Sequence, residues 1–237
     1  MKYDYEAEKL KAYKRNLKDI PDVVKNKSKR KKDWEDLLVR VHNFINRFKS
    51  SKNDPDFNEP NIIKQIENNR VVAASFIKEP SRQNFYQNQA LRYLNSMTST
   101  VKSAELLPST GKNAMFIIGG KLGKKADFTD TGTCKSIDFR IELKDGRTIL
   151  ASHKFTDISG GSQDNQRNDL LGGFINHAKL YNKDDFIFVA IADGPYYQIP
   201  RVAKKLEIAA EGKVLVCNME NFEEKIKKFK VGKAKNA

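Results

Sequence analysis

The sequence predicts an α/β protein: a mixed central sheet flanked by helices, with an N-terminal helical arm. Three observations support this prediction. Residues 136–155 have the pattern of two strands joined by a tight turn, residues 185–192 are almost continuously apolar, and a segment of helical spacing lies between them. A tight turn joins antiparallel strands, whereas a helix between two strands allows them to run parallel. We therefore expect both kinds of pairing in one sheet.

Residues 1–78 are expected to form the helical arm, and residues 79–237 the α/β core. A thin apolar stripe predicts the first helix of the arm, which we expect Pro21 to end: Tyr5, Leu10, Tyr13 and Leu17. A wider stripe over residues 34–48 is typical of a core helix. The basic run between these helices, residues 25–32, is either a phosphate contact or a solvated helix start.

The core elements follow from local patterns. Residues 82–97 are predicted to be a helix, residues 98–113 a loop and residues 114–118 a short strand. The basic segment 119–125 is predicted to be flexible, and it lacks the spacing of a nucleotide-binding P-loop. The remaining elements are predicted to be a helix over 163–181, a strand over 185–192, a helix over 201–210, a strand over 213–217 and a helix over 219–230.

Composition favours a polyanionic partner. Lys and Arg number 44 against 30 Asp and Glu, a formal net charge of +14, and nucleic acid is the leading candidate. The alternative is a basic surface that serves solubility alone. Cys134 and Cys217 have no metal-binding spacing, which favours a reducing compartment. No apolar run is long enough to span a membrane, so we expect a soluble, cytoplasmic protein that binds no membrane.

The stretch 136–155 brings an acid and a lysine together. Residues 136–143 alternate apolar and polar side chains, and the Asp-Gly pair at 145–146 suits a tight hairpin turn into a return strand over 148–155. Ser152 and Lys154 share one face of the return strand, which antiparallel pairing can bring beside Asp138. A carboxylate can bind Mg²⁺, and a neighbouring lysine can orient or deprotonate a water. The same pair is otherwise an ordinary surface ion pair.

These residues resemble the core of the PD-(D/E)XK nuclease superfamily, and within it the type II restriction endonucleases. Asp138 matches the acid of the first strand, and Ser152-His153-Lys154 matches the acid-x-Lys triplet of the second. The loop over 160–166 also has the character of a restriction enzyme. The resemblance covers about residues 114–217 and does not include the arm. It implies an endonuclease that uses Mg²⁺ to cut double-stranded DNA at specific sequences, and a homodimer suits a symmetric site.

The resemblance also implies roles for individual residues. Asp138 binds the metal, the carbonyl of His153 is a further ligand, and Lys154 acts on the attacking water. Ser152 is a departure, because a hydroxyl brings no charge to the metal. Three explanations stay open. The second acid comes from Asp164, Asp169 or Glu142, with Asp164 placed in the metal site; or position 152 was altered; or the chain is a natural non-cleaving relative.

Amide-rich helix starts suggest where bases are read, since amide side chains suit adenine edges and arginine suits guanine. The predicted DNA-binding residues are Gln163, Asn165, Gln166, Arg167, Asn168, Arg82, Gln83 and Asn84. Capping and loop hydrogen bonds are the alternative explanation. Glu79 is a possible accessory acid. Two other functions stay open: a DNA-binding protein without catalysis, and a structure-selective DNA repair nuclease.

Overall fold

A computed structural model describes residues 4–47, 58–77, 82–132, 134–156 and 163–230. The chain divides into two compact units, Asp4–Arg82 and Gln83–Ala237. The first unit is helical, and the second contains a mixed sheet with helices on both faces. The predicted α/β class is thus confirmed. No helix in the described ranges is long and apolar enough to cross a membrane.

The helical unit consists of α1 (Tyr5–Lys25), α2 (Lys31–Arg47), α3 (Glu59–Asn68) and α4 (Arg70–Ser75). The prediction that Pro21 ends the first helix is wrong. Ile20 and Val23 on either side of Pro21 are buried in the unit's apolar core. We attribute the continuation of α1 to this packing, which offsets the one backbone hydrogen bond that proline removes.

One arginine of the basic run is used inside the helical unit. The Arg30 guanidinium lies 2.6 Å from a carboxylate oxygen of Asp19, 3.1 Å from Asp22 and 2.9 Å from Asp33. These contacts tie the end of α1 to the start of α2. Arg30 therefore serves the fold, which leaves the phosphate-contact hypothesis for residues 25–32 to the exposed lysines of that run.

The α/β unit contains seven strands within the described residues: β1 (Val101–Leu106), β2 (Met115–Ile118), β3 (Lys121–Lys124), β4 (Phe139–Leu143), β5 (Thr148–Phe155), β6 (Ile187–Asp193) and β7 (Leu215–Cys217). The main sheet has the order β1-β4-β5-β6-β7. Its first three strands are antiparallel neighbours, and β5, β6 and β7 run parallel. The remaining two strands, β2 and β3, form a separate antiparallel hairpin.

Helices cover both faces of the main sheet. One face packs against α5 (Arg82–Ser96) and α9 (Phe222–Lys228). The other face packs against α8 (Pro200–Ala210) and against a longer helical segment between β5 and β6. That segment consists of α6 (Gln163–Leu170), a π-helical turn (Leu171–Ile175) and α7 (Asn176–Ala178). Alternate residues of β5 therefore belong to different apolar cores.

The prediction for one edge of the main sheet was wrong. The predicted loop 98–113 contains β1, whose exposed and polar residues gave little strand pattern. The predicted strand 114–118 pairs instead with β3, within the segment expected to be flexible. Gly119 and Gly120 have φ of 55° and 78°, which is the positive φ that a two-residue hairpin turn requires. The basic segment is thus half of an ordered hairpin.

Candidate active site

The open end of the β4–β5 hairpin holds the predicted acid and its neighbours. Asp138 immediately precedes β4, and its backbone N–H donates to the carbonyl of Ala151 at 2.9 Å. This bond extends the antiparallel ladder by one residue beyond the Phe139–Ala151 pair. Asp138 consequently lies across from Ser152 and His153, as the alternating pattern had suggested.

Three donors surround the carboxylate of Asp138, which is 7% exposed. Its Oδ2 accepts from the His153 backbone N–H at 2.8 Å and from the Ser152 hydroxyl at 3.3 Å. Its Oδ1 accepts from the Gln87 side-chain amide of α5 at 2.6 Å. Burial raises the pKa of Asp138, and the His153 N–H and the Lys154 charge only partly oppose this rise.

Lys154 connects the hairpin to a second acid. Its Nζ lies 3.5 Å from Oδ2 of Asp169, a residue of α6, and its side chain is 14% exposed. The other oxygen of Asp169 lies 3.4 Å from the Nζ of Lys135. The charge of Lys154 also partly opposes the rise that burial causes in the pKa of Asp138. Lys154 therefore forms its ion pair with an acid of a different element, the helix α6.

The ring of His153 lies on the opposite face of β5 from Lys154. Its Nε2 is 2.9 Å from Oδ2 of Asp193, whose other oxygen accepts from the backbone N–H of Met219 at 2.8 Å. The ring is fully buried and packs edge-on against Phe139. A strand residue directs its N–H and C=O to the same side, so the His153 carbonyl faces the side on which its N–H meets Asp138.

Two other candidate acids lie elsewhere. Asp164 is 74% exposed and pairs with Arg167 at 2.9 Å, while accepting from the hydroxyl of Tyr196 at 3.1 Å. It precedes Asp169 by five residues, which corresponds to about 140° around a helix and about 7.5 Å along it. Glu142 lies opposite Thr148 at the turn end of the hairpin, about 13 Å along the strand from Asp138. Of the candidate acids on α6, Asp169 and not Asp164 forms the ion pair with Lys154.

Some of the predicted base-reading residues make contacts within the protein, and others are exposed. Gln166 accepts from the hydroxyl of Thr156 at 2.9 Å, and Arg167 donates to the hydroxyl of Tyr196 at 3.2 Å. These contacts fasten α6 to the ends of β5 and β6. Asn84, Asn165 and Asn168 are exposed, which leaves them available to a partner. Glu79 and the side chains of Arg82, Gln83 and Gln163 lie outside the described part of the chain.

Within the described residues, the candidate site offers few ligands for Mg²⁺. Across the described ranges, no three side chains of His, Cys, Asp or Glu are grouped as a complete metal site. Mg²⁺ in phosphoryl-transfer sites is commonly bound by one or two carboxylates, waters and the substrate's phosphate. Asp138, Asp169 and the carbonyl of His153 are oxygen ligands of the kind that smaller requirement names. These are the groups that could hold the ion together with a bound phosphate.

Two contacts at this site were not predicted from the sequence. Gln87 reaches Asp138 from a helix 51 residues earlier, and Asp193 holds the ring of His153 from the end of β6. An acid directly after a buried strand was a usable signal for Asp193. Gln87 had no such signal, because it is one of several amides on α5.

No family model, curated protein or solved structure matches this chain. Function is therefore inferred from the chemistry of the site.

Proposed function

We propose that this protein is a Mg²⁺-dependent endonuclease that hydrolyses phosphodiester bonds in double-stranded DNA, of the type II restriction class. The observation that carries the proposal is the ion pair at 3.5 Å between Asp169 and the partly buried Lys154. Lys154 lies on the same strand as Ser152, whose hydroxyl donates to the buried Asp138. An isolated surface ion pair needs neither the burial nor the second acid. The net charge of +14 suits a polyanionic substrate.

Asp138 and Asp169 are the carboxylates that would hold the metal, with the carbonyl of His153 on the same side. A bound Mg²⁺ would supply positive charge to the phosphoryl oxygens and a more acidic water. The chain's own contribution is to position these groups. The His153 N–H and the Ser152 hydroxyl orient one oxygen of Asp138, and the side chain of Gln87 covers the other. Rotation of the Gln87 side chain would expose that oxygen to a ligand.

Lys154 is the group proposed to act at the reacting water. Its ammonium can hold the water through a hydrogen bond and offset the charge that grows on the phosphate. The ion pair with Asp169 at 3.5 Å keeps this ammonium near the open end of the hairpin. The backbone of this lysine is held by parallel pairing with Ala192 of β6.

Ser152 is compatible with this role when Asp169 supplies the second carboxylate. The hydroxyl donates to Asp138, whereas a carboxylate at position 152 would face Asp138 as a like charge. We therefore favour the explanation in which a helix acid replaces the acid of the strand. The specific acid we propose is Asp169.

A second candidate function is DNA binding without cleavage. It is favoured by the enclosure of Asp138, whose two oxygens already accept three hydrogen bonds from the protein. Burial also raises the pKa of this carboxyl, which weakens it as a metal ligand at lower pH.

A plasmid digest separates these functions. Supercoiled plasmid would be incubated with the chain in MgCl₂ or in EDTA, beside Asp138→Asn and the distant control Lys144→Gln. Discrete fragments that require Mg²⁺ and disappear only in Asp138→Asn support the restriction endonuclease. A smear indicates cleavage without sequence readout, as in a repair nuclease. Binding without any cleavage supports the non-cleaving protein, and unchanged cleavage by Asp138→Asn would remove this site from the reaction.

A further inference from the structure

The β2–β3 hairpin packs against the rest of the α/β unit, and the proposed reaction uses none of its positively charged side chains. Its two strands pair from Met115–Lys124 to Ile118–Lys121, and Ile117 is fully buried in the core beneath α6 and α8. The N–H of Gly119 donates to Nδ1 of His177 at 2.9 Å. A Cβ on Gly120 would lie 2.5 Å from the carbonyl oxygen of Leu180. The turn is therefore packed closely against the end of α7.

His177 fastens this hairpin through both ring nitrogens. Because Nδ1 accepts from Gly119, the proton of the neutral ring lies on Nε2, which is 3.2 Å from the Sγ of Cys134. The hairpin turn, the helix and the loop before β4 are thereby joined at one residue. A basic surface on such an element keeps its position before any partner binds, so less ordering entropy is lost on binding.

The hairpin and the residues beside it present exposed lysines, and the nearby carboxylate of Asp127 accepts a hydrogen bond from the backbone N–H of Lys124 at 2.7 Å. In the described part of the chain, no carboxylate forms an ion pair with these four side chains: Lys112, Lys121, Lys124 and Lys125. Lysines elsewhere in the same unit do have such partners; Lys179, for example, pairs with Glu211 at 2.7 Å. Lys121 lies 5.9 Å from the ring centroid of Phe128, a contact that leaves its charge intact.

The backbone connects this surface to the candidate active site. The N–H of Ile137, the residue before Asp138, donates to the carbonyl of Met115 at 2.8 Å. Met115 in turn pairs with Lys124 across the hairpin. Two inter-strand spacings place the Lys124 backbone about 10 Å from that of Ile137. Since one strand of a duplex carries a phosphate every 3.4 Å or so along the axis, this distance corresponds to about three nucleotides.

We propose that the β2–β3 hairpin is a phosphate clamp, which binds the backbone of duplex DNA a few nucleotides away from the candidate active site. Lys124 and Lys125 are the contacts nearest the site, and Lys121 extends the surface toward the turn. The clamp rests on the proposed function, because it assigns the partner of the same site. It adds a surface outside the reacting groups that sets affinity and register while carrying no base readout.

The test compares two double variants that each remove two exposed positive charges. Lys124→Gln/Lys125→Gln alters the clamp, whereas Lys144→Gln/Lys230→Gln alters the turn end of the β4–β5 hairpin. Arg147 of that turn donates to the carbonyl of Phe229 at 3.2 Å, so Lys230 lies beside the turn. Binding to a fluorescent 30-base-pair duplex of random sequence would be measured in EDTA over a range of NaCl concentrations, after thermal melting has shown that both variants fold.

Loss of two phosphate contacts makes the negative slope of log affinity against log salt less steep by about 1.8. It also weakens binding about 60-fold at 0.1 M salt. We expect this change in the clamp variant and a change of less than about twofold in the control. Equal losses in both variants would overturn the clamp, because the charge would then act without a specific contact. Unchanged binding by the clamp variant, or binding to single-stranded RNA in preference to the duplex, would also overturn it.

A parallel plasmid digest separates this proposal from the nuclease. Cleavage by the parental chain together with normal duplex binding by the clamp variant would refute the clamp alone. Duplex binding that is lost only in the clamp variant, without cleavage by the parental chain, would support the clamp and refute the nuclease. A parental chain that binds no duplex in low salt would refute both.

Discussion

The two β-hairpins of the α/β unit differ in where they place their charged side chains. The β4–β5 hairpin lies inside the main sheet, and Asp138 and Lys154 at its open end are buried or nearly so. The β2–β3 hairpin lies outside that sheet, and Lys124 and Lys125 are exposed. Buried charges require partners, whereas exposed lysines do not. The first hairpin is thus suited to fixing reacting groups, and the second to meeting a long anion.

The largest expected effect is a loss of cleavage when Lys154 of the β4–β5 hairpin is replaced. Lys154→Ala should lower Mg²⁺-dependent plasmid cleavage by about 10²–10⁴-fold, because the group proposed to act at the water is removed. Duplex affinity in EDTA should change by less than about threefold, since most affinity comes from phosphate contacts elsewhere. Lys144→Ala is the control. Normal cleavage by Lys154→Ala would contradict the division of roles between the hairpins.

The stability of the β4–β5 hairpin should also depend on its tertiary hydrogen bonds. Asp193→Ala leaves both Nε2 of His153 and the N–H of Met219 without this acceptor. We expect the free energy of unfolding to fall by about 2–4 kcal/mol, as for two buried groups that lose a partner. Urea denaturation would measure the loss. Asp193→Asn keeps an acceptor oxygen and should lose less; an equal loss in both variants would show that the carboxylate charge is required.

The pH dependence of stability should report the burial of Asp138. Its pKa is raised above the usual 3.8 by burial, so the folded state binds more protons than the unfolded state between the two pKa values. This contribution to stability is fully present below about pH 4 and is lost as pH rises through the folded pKa. The stability of the parental chain relative to Asp138→Asn should therefore decline from pH 4 upward in urea denaturation. A stability difference that stays constant with pH would contradict the raised pKa of Asp138.

The smallest expected effect is a modest loss of stability and of duplex binding when Gly120 in the β2–β3 turn is replaced. Gly120→Ala puts a methyl group 2.5 Å from the carbonyl oxygen of Leu180 at a residue with φ of +78°. We expect a loss of about 1–2 kcal/mol in the free energy of unfolding, and weaker duplex binding because the hairpin must shift. Gly146→Ala also has positive φ but has no neighbouring atom within 4 Å of the added group, and it serves as the matched control for binding.

The parts of this structure that the sequence predicted are those that local patterns determine. The return strand 148–155 matches β5, because the Asp-Gly turn and the period-two alternation of residues 136–143 before it are both local. The approach of Ser152 to Asp138 follows from that pairing. By contrast, the contact of Gln87 with Asp138 depends on how α5 packs on the sheet, which no local pattern contains.

The choice between Asp164 and Asp169 was open for the same reason. Both acids lie in one short helix, and the rotation of that helix about its axis decides which one faces Lys154. Likewise β1 was predicted as loop, because an edge strand with exposed polar residues lacks a clear apolar face. Tertiary packing supplied what these segments did not show locally.

The most direct test of the central claim is cleavage of one plasmid in MgCl₂ by four proteins side by side: the parental chain, Asp169→Asn, Asp164→Asn and Ser152→Glu. The parental chain and Asp164→Asn should cut, Asp169→Asn should lose at least about 10²-fold, and Ser152→Glu should gain nothing because its carboxylate faces Asp138. Cleavage that survives in Asp169→Asn but disappears in Asp164→Asn would contradict the assigned acid. Cleavage by Ser152→Glu alone would show that the serine, and not a helix acid, decides the activity of this site.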